Sequence, residues 1–311
     1  MKRRNSAALL LFLVAVSSII AVRLGPATGE STGQAFAGPQ NTGVPDGTSL
    51  ERIPGDDYYR ITTDGQVLDG IEIDGCIVIE ANNVVVRNSS ITCGATIPAV
   101  WLRSGAGLMV EHNTIRGTKG SAAGVAGSNM VARFNDISGT ADGLKVGSNT
   151  VVDTNWVHGL WEGMTPSGPT HNDGIQMSGG SNVIIRNNSI SHSGPNGNGA
   201  VFIKAEGGSI SNVEIAGNYL VGFGFTARCA NGVTDCRIIG NTFEVGTPKF
   251  HPAALTHGAV GEIRCNVWSD GRLIDQNTEP CDDKPGPVTG EPTTTTAAPT
   301  TTEAPTTTAA P

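Results

Sequence analysis

Eight short segments of this 311-residue chain are copies of one another: VVVRNSSI (84–91), LMVEHNTI (108–115), MVARFNDI (130–137), TVVDTNWV (150–157), VIIRNNSI (183–190), VEIAGNYL (213–220), CRIIGNTF (236–243) and GEIRCNVW (261–268). Their last residues are spaced 24, 22, 20, 33, 30, 23 and 25 apart, a baseline of 20–25 with insertions in two consecutive repeats. A unit this short cannot bury its own apolar face, so neighbouring copies must stack to make a core. The columns show which face is buried. Five positions before the last residue stand Val86, Val110, Ala132, Val152, Ile185, Ile215, Ile238 and Ile263, and the last residues are apolar too. Two positions before it stand Ser89, Asn113, Asn135, Asn155, Asn188, Asn218, Asn241 and Asn266. Asn tolerates the left-handed backbone of a turn, and its amide can bond its own copy in the next layer. Four positions before it, Arg87, Glu111, Arg133, Asp153 and Arg186 alternate in sign, as an outward ladder of ion pairs would.

The period is too short for a propeller, and the L-x-x-L-x-L pattern of leucine-rich repeats is absent. The expected fold is all-β: a single-stranded right-handed parallel β-helix, a solenoid with an Asn ladder and layers ~4.8 Å apart. From Asn41-Thr42-Gly43-Val44-Pro45 to Trp268 the chain resembles the pectate-lyase-like right-handed β-helix superfamily, and within it the exported bacterial β-helix repeat proteins. That resemblance implies the fold.

Composition agrees. The 42 glycines, with charged residues at 15% and aromatics at 5%, suit short strands and tight turns. A net charge of −8 argues against nucleic acid as a partner, because phosphate binding needs a basic surface. Lys2, Arg3 and Arg4 precede an apolar run from Ala7 to about Val22, so residues 1–37 read as a signal peptide or signal anchor with a short linker. An uncleaved segment would tether the protein to a membrane. Residues 38–284 form the β-helix domain, and 285–311 a disordered Thr/Pro/Ala-rich stalk. Export favours disulfides among the six cysteines, and the local pairs are Cys76 with Cys93, Cys229 with Cys236 and Cys265 with Cys281. The expected protein is secreted or held at the cell surface, and monomeric.

Each repeat carries a second strand, among them AVWLR (99–103), GVAG (124–127), DGLKV (142–146), DGIQM (173–177), AVFIKA (200–205) and TARC (226–229). Alternation turns Leu144, Val146, Ile175, Met177, Val201 and Ile203 inward. The outward strip is then Trp101, Arg103, Val125, Lys145, Gln176, Phe202, Lys204 and Arg228, which is basic and partly aromatic. Aromatic faces and Arg or Lys side chains suit sugar rings that bear carboxylates or sulfates. The insertions, 159–170 and 193–199, flank the strip, and loops on a rigid scaffold often carry function. The first leads into His171-Asn172-Asp173-Gly174, and Asp142 and Asp173 occupy equivalent places on adjacent layers.

The expected partner is therefore an extracellular, acidic polysaccharide, and three mechanisms fit. In β-elimination or epimerisation, His171 or Lys145 is the base, Arg228, Gln176 or Asn172 neutralises the uronate carboxylate, and Asp173 orients His171 or helps hold Ca²⁺, the one candidate ion. In glycoside hydrolysis Asp142, Asp173 and Glu162 supply the paired carboxylates. In the third case the whole strip, from Trp101 through Phe202 and Lys204 to Arg228, is a non-catalytic carbohydrate-binding or structural surface, and Trp161 is a separate candidate sugar platform. The plainer reading of the two Asp-Gly pairs is turn chemistry, and that of Trp161 is loop packing. His171-Asn172-Asp173 faintly resembles the Asp/His segment of β-helix uronate epimerases but lacks their Tyr/Asp-Pro-His. Phe202-Ile203-Lys204 loosely resembles the Arg-Ile-Lys of β-helix polygalacturonases. The Arg-rich strand of the Ca²⁺-dependent pectate lyases is missing.

Overall fold

The computed structural model describes residues 36–54, 58–118, 120–165, 168–278 and 281; the targeting segment through 35 and the Thr/Pro-rich tail lie outside them. Each coil contributes three short strands, as in Val100–Ser104, Leu108–Glu111 and Thr114–Gly117. Corresponding strands of successive coils pair in parallel and build three long sheets. The first, called the groove sheet below, has nine strands from Tyr58–Ile61 to His251–Thr256. The second has nine, from Val67–Asp69 to Gly261–Arg264, and the third ten, from Glu51–Arg52 to Val267–Trp268. No helix occurs among the described residues. This is the parallel β-helix expected from the repeats.

The apolar columns fill its interior. Val86, Val110, Ala132, Val152, Ile185, Ile215 and Ile238 have no exposed surface, nor do Ile91, Ile115, Ile137, Val157, Ile190, Leu220 and Phe243. Registers such as Val110 with Ala132 and Ala132 with Val152 put like beside like on successive layers.

The Asn column is buried throughout. Asn135 Nδ2 donates to Asn155 Oδ1 at 2.8 Å and to the Val110 carbonyl of the preceding coil at 2.9 Å. Asn155 Nδ2 donates likewise to Asn188 Oδ1 and to the Ala132 carbonyl. The series runs on through Asn218, Asn241 and Asn266 to Asn277. Its backbone differs from expectation. The left-handed residue is the one before each ladder position: Asn88, His112, Phe134, Thr154, Asn187, Gly217, Gly240 and Cys265, with φ between 50° and 64°. The ladder Asn supplies the hydrogen bonds, and its predecessor absorbs the turn.

A second ladder, absent from the expectation, runs where the groove sheet passes to the second sheet. Asn129, Asn149, Asn182 and Asn212 are all left-handed, and each amide in turn donates to the Oδ1 of the preceding one at 2.9 Å. Unlike the first it lies at the surface. The charge column forms the expected pairs Arg133–Glu111 and Arg186–Asp153, both 2.8 Å, while Arg87 turns to Asp69.

All three expected disulfides are present: Cys76–Cys93, Cys229–Cys236 and Cys265–Cys281. The last secures a closing segment, in which Ile274 is buried and Asn277 and Thr278 hydrogen-bond to the final coil. Gly43, early in the chain, crosses the third sheet partway along the stack at φ +83°, and a Cβ on it would lie 2.9 Å from Thr114 Oγ1 and 3.1 Å from Asp136 Cβ. Only glycine meets both demands.

Candidate functional site

The outward column of the groove sheet runs Trp101, Ala126, Lys145, Gln176, Phe202, Arg228, one residue per layer. The expected inward residues Leu144, Val146, Ile175, Met177, Val201 and Ile203 are buried. Val125 is corrected. It is fully buried in register with Val100 and Leu144, and Ala126 takes the outward place. The cause lies at Gly124, Gly143 and Gly174. A Cβ on any of them would meet a core side chain (Ile137, Val157 or Ile190) within 2.5 Å. The chain therefore turns in twice running at this corner, and simple alternation starts one residue later.

That corner tips Asp142 and Asp173 onto the outward side. They are adjacent, 4% and 0% exposed, and beneath the strip. Asp142 Oδ1 accepts the Asp173 amide at 2.8 Å, and its Oδ2 pairs with Lys145 Nζ at 2.9 Å. Asp173 Oδ1 accepts Asn198 Nδ2 at 3.0 Å and the Gly199 amide at 2.9 Å, and its Oδ2 accepts Gln176 Nε2 at 3.2 Å. Burial pushes Asp173 well above the usual carboxylate range, and the neighbouring Asp142 charge adds to the push. Burial raises Asp142 as well, against the pull of the Lys145 ammonium. The buried acids thus fix the polar ends above them.

Lys145 and Gln176 in turn line a groove of about 440 Å³, whose floor and walls include Ala126, Gly127, Ser178 and Gly207. His171 is exposed at the end of the first insertion, and its charge, when protonated, reaches Asp142. The groove can hold an anionic group between an ammonium and an amide, and His171 stands outside its lining, on the Asp142 side of the strip.

The remaining expected site residues lie around it. Asn172 is buried, its amide donating to the carbonyls of Ala141 and Trp161 and its Oδ1 accepting Thr170 Oγ1. Trp161 packs within the loops, its ring about 3 Å from where a Cβ on Gly120 would stand. Trp101 is half-buried with Arg103 at 5.8 Å from its ring. Lys204 is ion-paired to Glu206, and Phe202 lies almost buried beneath Arg228. Glu162 stands apart. It accepts His192 Nε2 at 2.9 Å and the Asn196 amide at 2.8 Å, clasping one insertion to the other beside a second groove of about 410 Å³. Sequence reasoning did not single out Asn198, although an asparagine inside the second insertion is the signal that could have found it.

A third polar cluster lies on the third sheet. Asp136 bonds Arg116 at 2.8–2.9 Å and His158 Nε2 at 2.8 Å, and Trp156 stacks on His158. Burial would raise Asp136, but the hydrogen bonds from His158 and Arg116 hold it down at about 2. No group of three His, Cys, Asp or Glu side chains arranged to hold a metal ion occurs among the described residues. Both Asp173 oxygens are already taken by Asn198, Gly199 and Gln176, so the residues around it do not fit a Ca²⁺ cage.

Residues 168–278 match the family model described as a right handed beta helix region. No curated protein sequence matches the chain. Among solved structures it is similar to the Dettilon tailspike protein, at 14% identity over 74% of this chain and 61% of that one, with TM-score 0.48. It is also similar to an alginate lyase from a Paenibacillus species, at 14% identity over 73% and 93% of the two chains, TM-score 0.43. A tailspike mutant of an E. coli bacteriophage in complex with a pentasaccharide gives 15% identity over 71% and 45%, TM-score 0.44. The chain thus spans less than two thirds of either tailspike.

Proposed function

From a right-handed parallel β-helix whose groove presents Lys145 and Gln176, we propose that this protein is secreted and acts on an acidic extracellular polysaccharide, by β-elimination or epimerisation at a uronate unit. One observation carries this reading. The groove offers substrate an ammonium, Lys145, and an amide, Gln176, while the two carboxylates that would serve a glycosidase are buried beneath them with their oxygens engaged. A glycosidase needs its two carboxylates at the sugar. An elimination needs a base at C5 and a cation or donor at the carboxylate, where negative charge develops.

In this reading the sugar carboxylate sits between Lys145 Nζ and the free N–H of Gln176 Nε2. His171 removes the C5 proton, the electron pair forms the C4–C5 double bond, and the C4–O bond breaks as its oxygen takes a proton. An epimerase returns a proton to the opposite face of C5 instead. Asp142 and Asp173 are positioning residues, acting through Lys145 and Gln176. Three disulfides support an oxidising, extracellular setting.

The test is a product screen on a panel of uronate and neutral polymers, reading ultraviolet absorbance of the new double bond and C5 configuration by NMR. The expected result is an unsaturated or epimerised product from a uronate polymer, lost in His171→Ala and reduced about a hundredfold or more in Lys145→Ala. New reducing ends without unsaturation would move the assignment to hydrolysis. No product from any polymer, with glycan binding retained, would make the groove a binding surface.

A further inference from the structure

Fourteen lysines and arginines lie among the described residues, and twelve have a carboxylate within 4.0 Å. The exceptions are Arg228 and Lys249. Both belong to one neighbourhood, at the end of the groove sheet beyond Phe202. On an acidic protein whose other described cations are ion-paired, two on the same face without a carboxylate partner call for an anionic partner.

Arg228 is held in place without being used up. Its guanidinium lies 4.4 Å from the Phe225 ring, Nε donates to Thr256 Oγ1 at 2.9 Å, and Nη2 meets His257 Nδ1 at 3.2 Å. The guanidinium has five N–H donors, so most of its fork stays free for a carboxylate or sulfate. Phe225 passes the contact on to Phe250, with centroids 5.0 Å apart. Phe250 is 64% exposed, the largest exposure of any aromatic ring on this face. Lys249, next in the chain, donates from Nζ to the Pro195 carbonyl of the second insertion at 2.9 Å, which keeps its charge at the loop. An exposed apolar ring that shares Phe225 with a fixed guanidinium, with a second cation one residue away in the chain, is a combination that recognises a sugar bearing an acidic group.

We propose that Arg228, Lys249 and Phe250 form an anion-recognising sugar subsite, three layers along the strip from Lys145, or about 14 Å at the spacing of parallel strands. Arg228 takes the acidic group, Phe250 takes the ring face, and Lys249 adds a second positive charge at the insertion. The subsite rests on the proposed action on an acidic glycan and extends it. A chain that reaches both places must carry acidic groups at repeated positions, not at one end.

Calorimetric titration of the full chain tests this with four probes: an oligouronate, its carboxyl-reduced counterpart, a sulfated neutral oligosaccharide and an unsulfated one. His171→Ala serves as the background, so that turnover does not consume the probe and a failed screen for products leaves the binding result standing. Binding of an anionic probe is expected, weakened about tenfold or more by Arg228→Ala and by Phe250→Ala, less by Lys249→Ala, and weakened further by salt. Unchanged thermal unfolding of the variants separates lost contacts from lost structure. Preference between the carboxylated and sulfated probes identifies the acidic group. Equal binding of charged and uncharged probes, equal binding by Arg228→Ala, or no binding of any anionic probe would overturn the subsite.

Discussion

A single asparagine in this fold makes contacts in three coils. Asn155 accepts the amide and side chain of Asn135, donates to the Ala132 carbonyl and to Asn188 Oδ1, and has no exposed surface. Asn155→Leu strands buried donors and acceptors on both sides, and its expected cost is about 3 kcal/mol in chemical denaturation. The residue before it works differently. Thr154 is β-branched and held at φ 55°, where Gly217 and Gly240 stand in later coils. Relief of left-handed strain, partly offset by the freer unfolded chain, should make Thr154→Gly about 0.5–1 kcal/mol more stable. A lower melting temperature would contradict that assignment of strain. Asp136 contributes to acid sensitivity. Its folded pKa, about 2, lies below its usual 3.8, so its stabilisation is complete above that value and fades as pH falls towards 2. Asp136→Asn should be less stable at neutral pH, and the loss of stability between pH 4 and 2 should be shallower than in the wild type.

At the scale of elements, the groove sheet is shaped by its corner. Gly124, Gly143 and Gly174 let the strand start one residue out of alternation, which brings Asp142 and Asp173 under the strip instead of into the core. Asp173 then ties the strand to the second insertion through Asn198 and Gly199. Its pKa is raised, so its ionised form costs stability: stability declines as pH rises from 3.8 through the folded pKa. Asp173→Asn keeps an oxygen for Asn198 and Gly199 while removing the charge. It should match or exceed wild-type stability at pH 7, show no such gain near pH 4, and still lower turnover if Gln176 depends on the charge for its position. Greater destabilisation at pH 7 than at pH 4 would show that the carboxylate charge is needed by the fold.

The described β-helix is a one-dimensional stack, in which each coil leans on its neighbours and the ends need closing. At the C-terminal end Ile274, Asn277 and Thr278 lie against the last coil, secured by Cys265–Cys281. Opening a loop of this length is expected to cost about 3 kcal/mol. Cys281→Ser should fray the stack from that end. Hydrogen exchange should lose protection first in Gly261–Arg264 and Val267–Trp268 and only later in the strands around Lys145. Uniform loss along the stack would mean that the coils unfold as one cooperative block.

The repeats by themselves determined the coil, the apolar columns and the Asn ladder, because each depends on side chains recurring at one period; the three disulfides were expected from short separations along the chain. They also brought Lys145, Gln176, Phe202 and Arg228 to one face, since parallel register aligns equivalent positions. The surface ladder from Asn129 to Asn212 was legible too, as a Ser-Asn pair opening four successive segments. Three matters needed the tertiary structure. The slip at Val125 comes from glycines whose space is defined by core side chains of another strand. The burial of Asp142 and Asp173, and of Asn172, depends on how two insertions fold back over the sheet. The absence of a carboxylate partner for Arg228 and Lys249 among the described residues depends on where the other described charges found theirs. Pattern in a sequence fixes which residues share a column; only packing decides how far each is withdrawn from water and which charges remain unpaired.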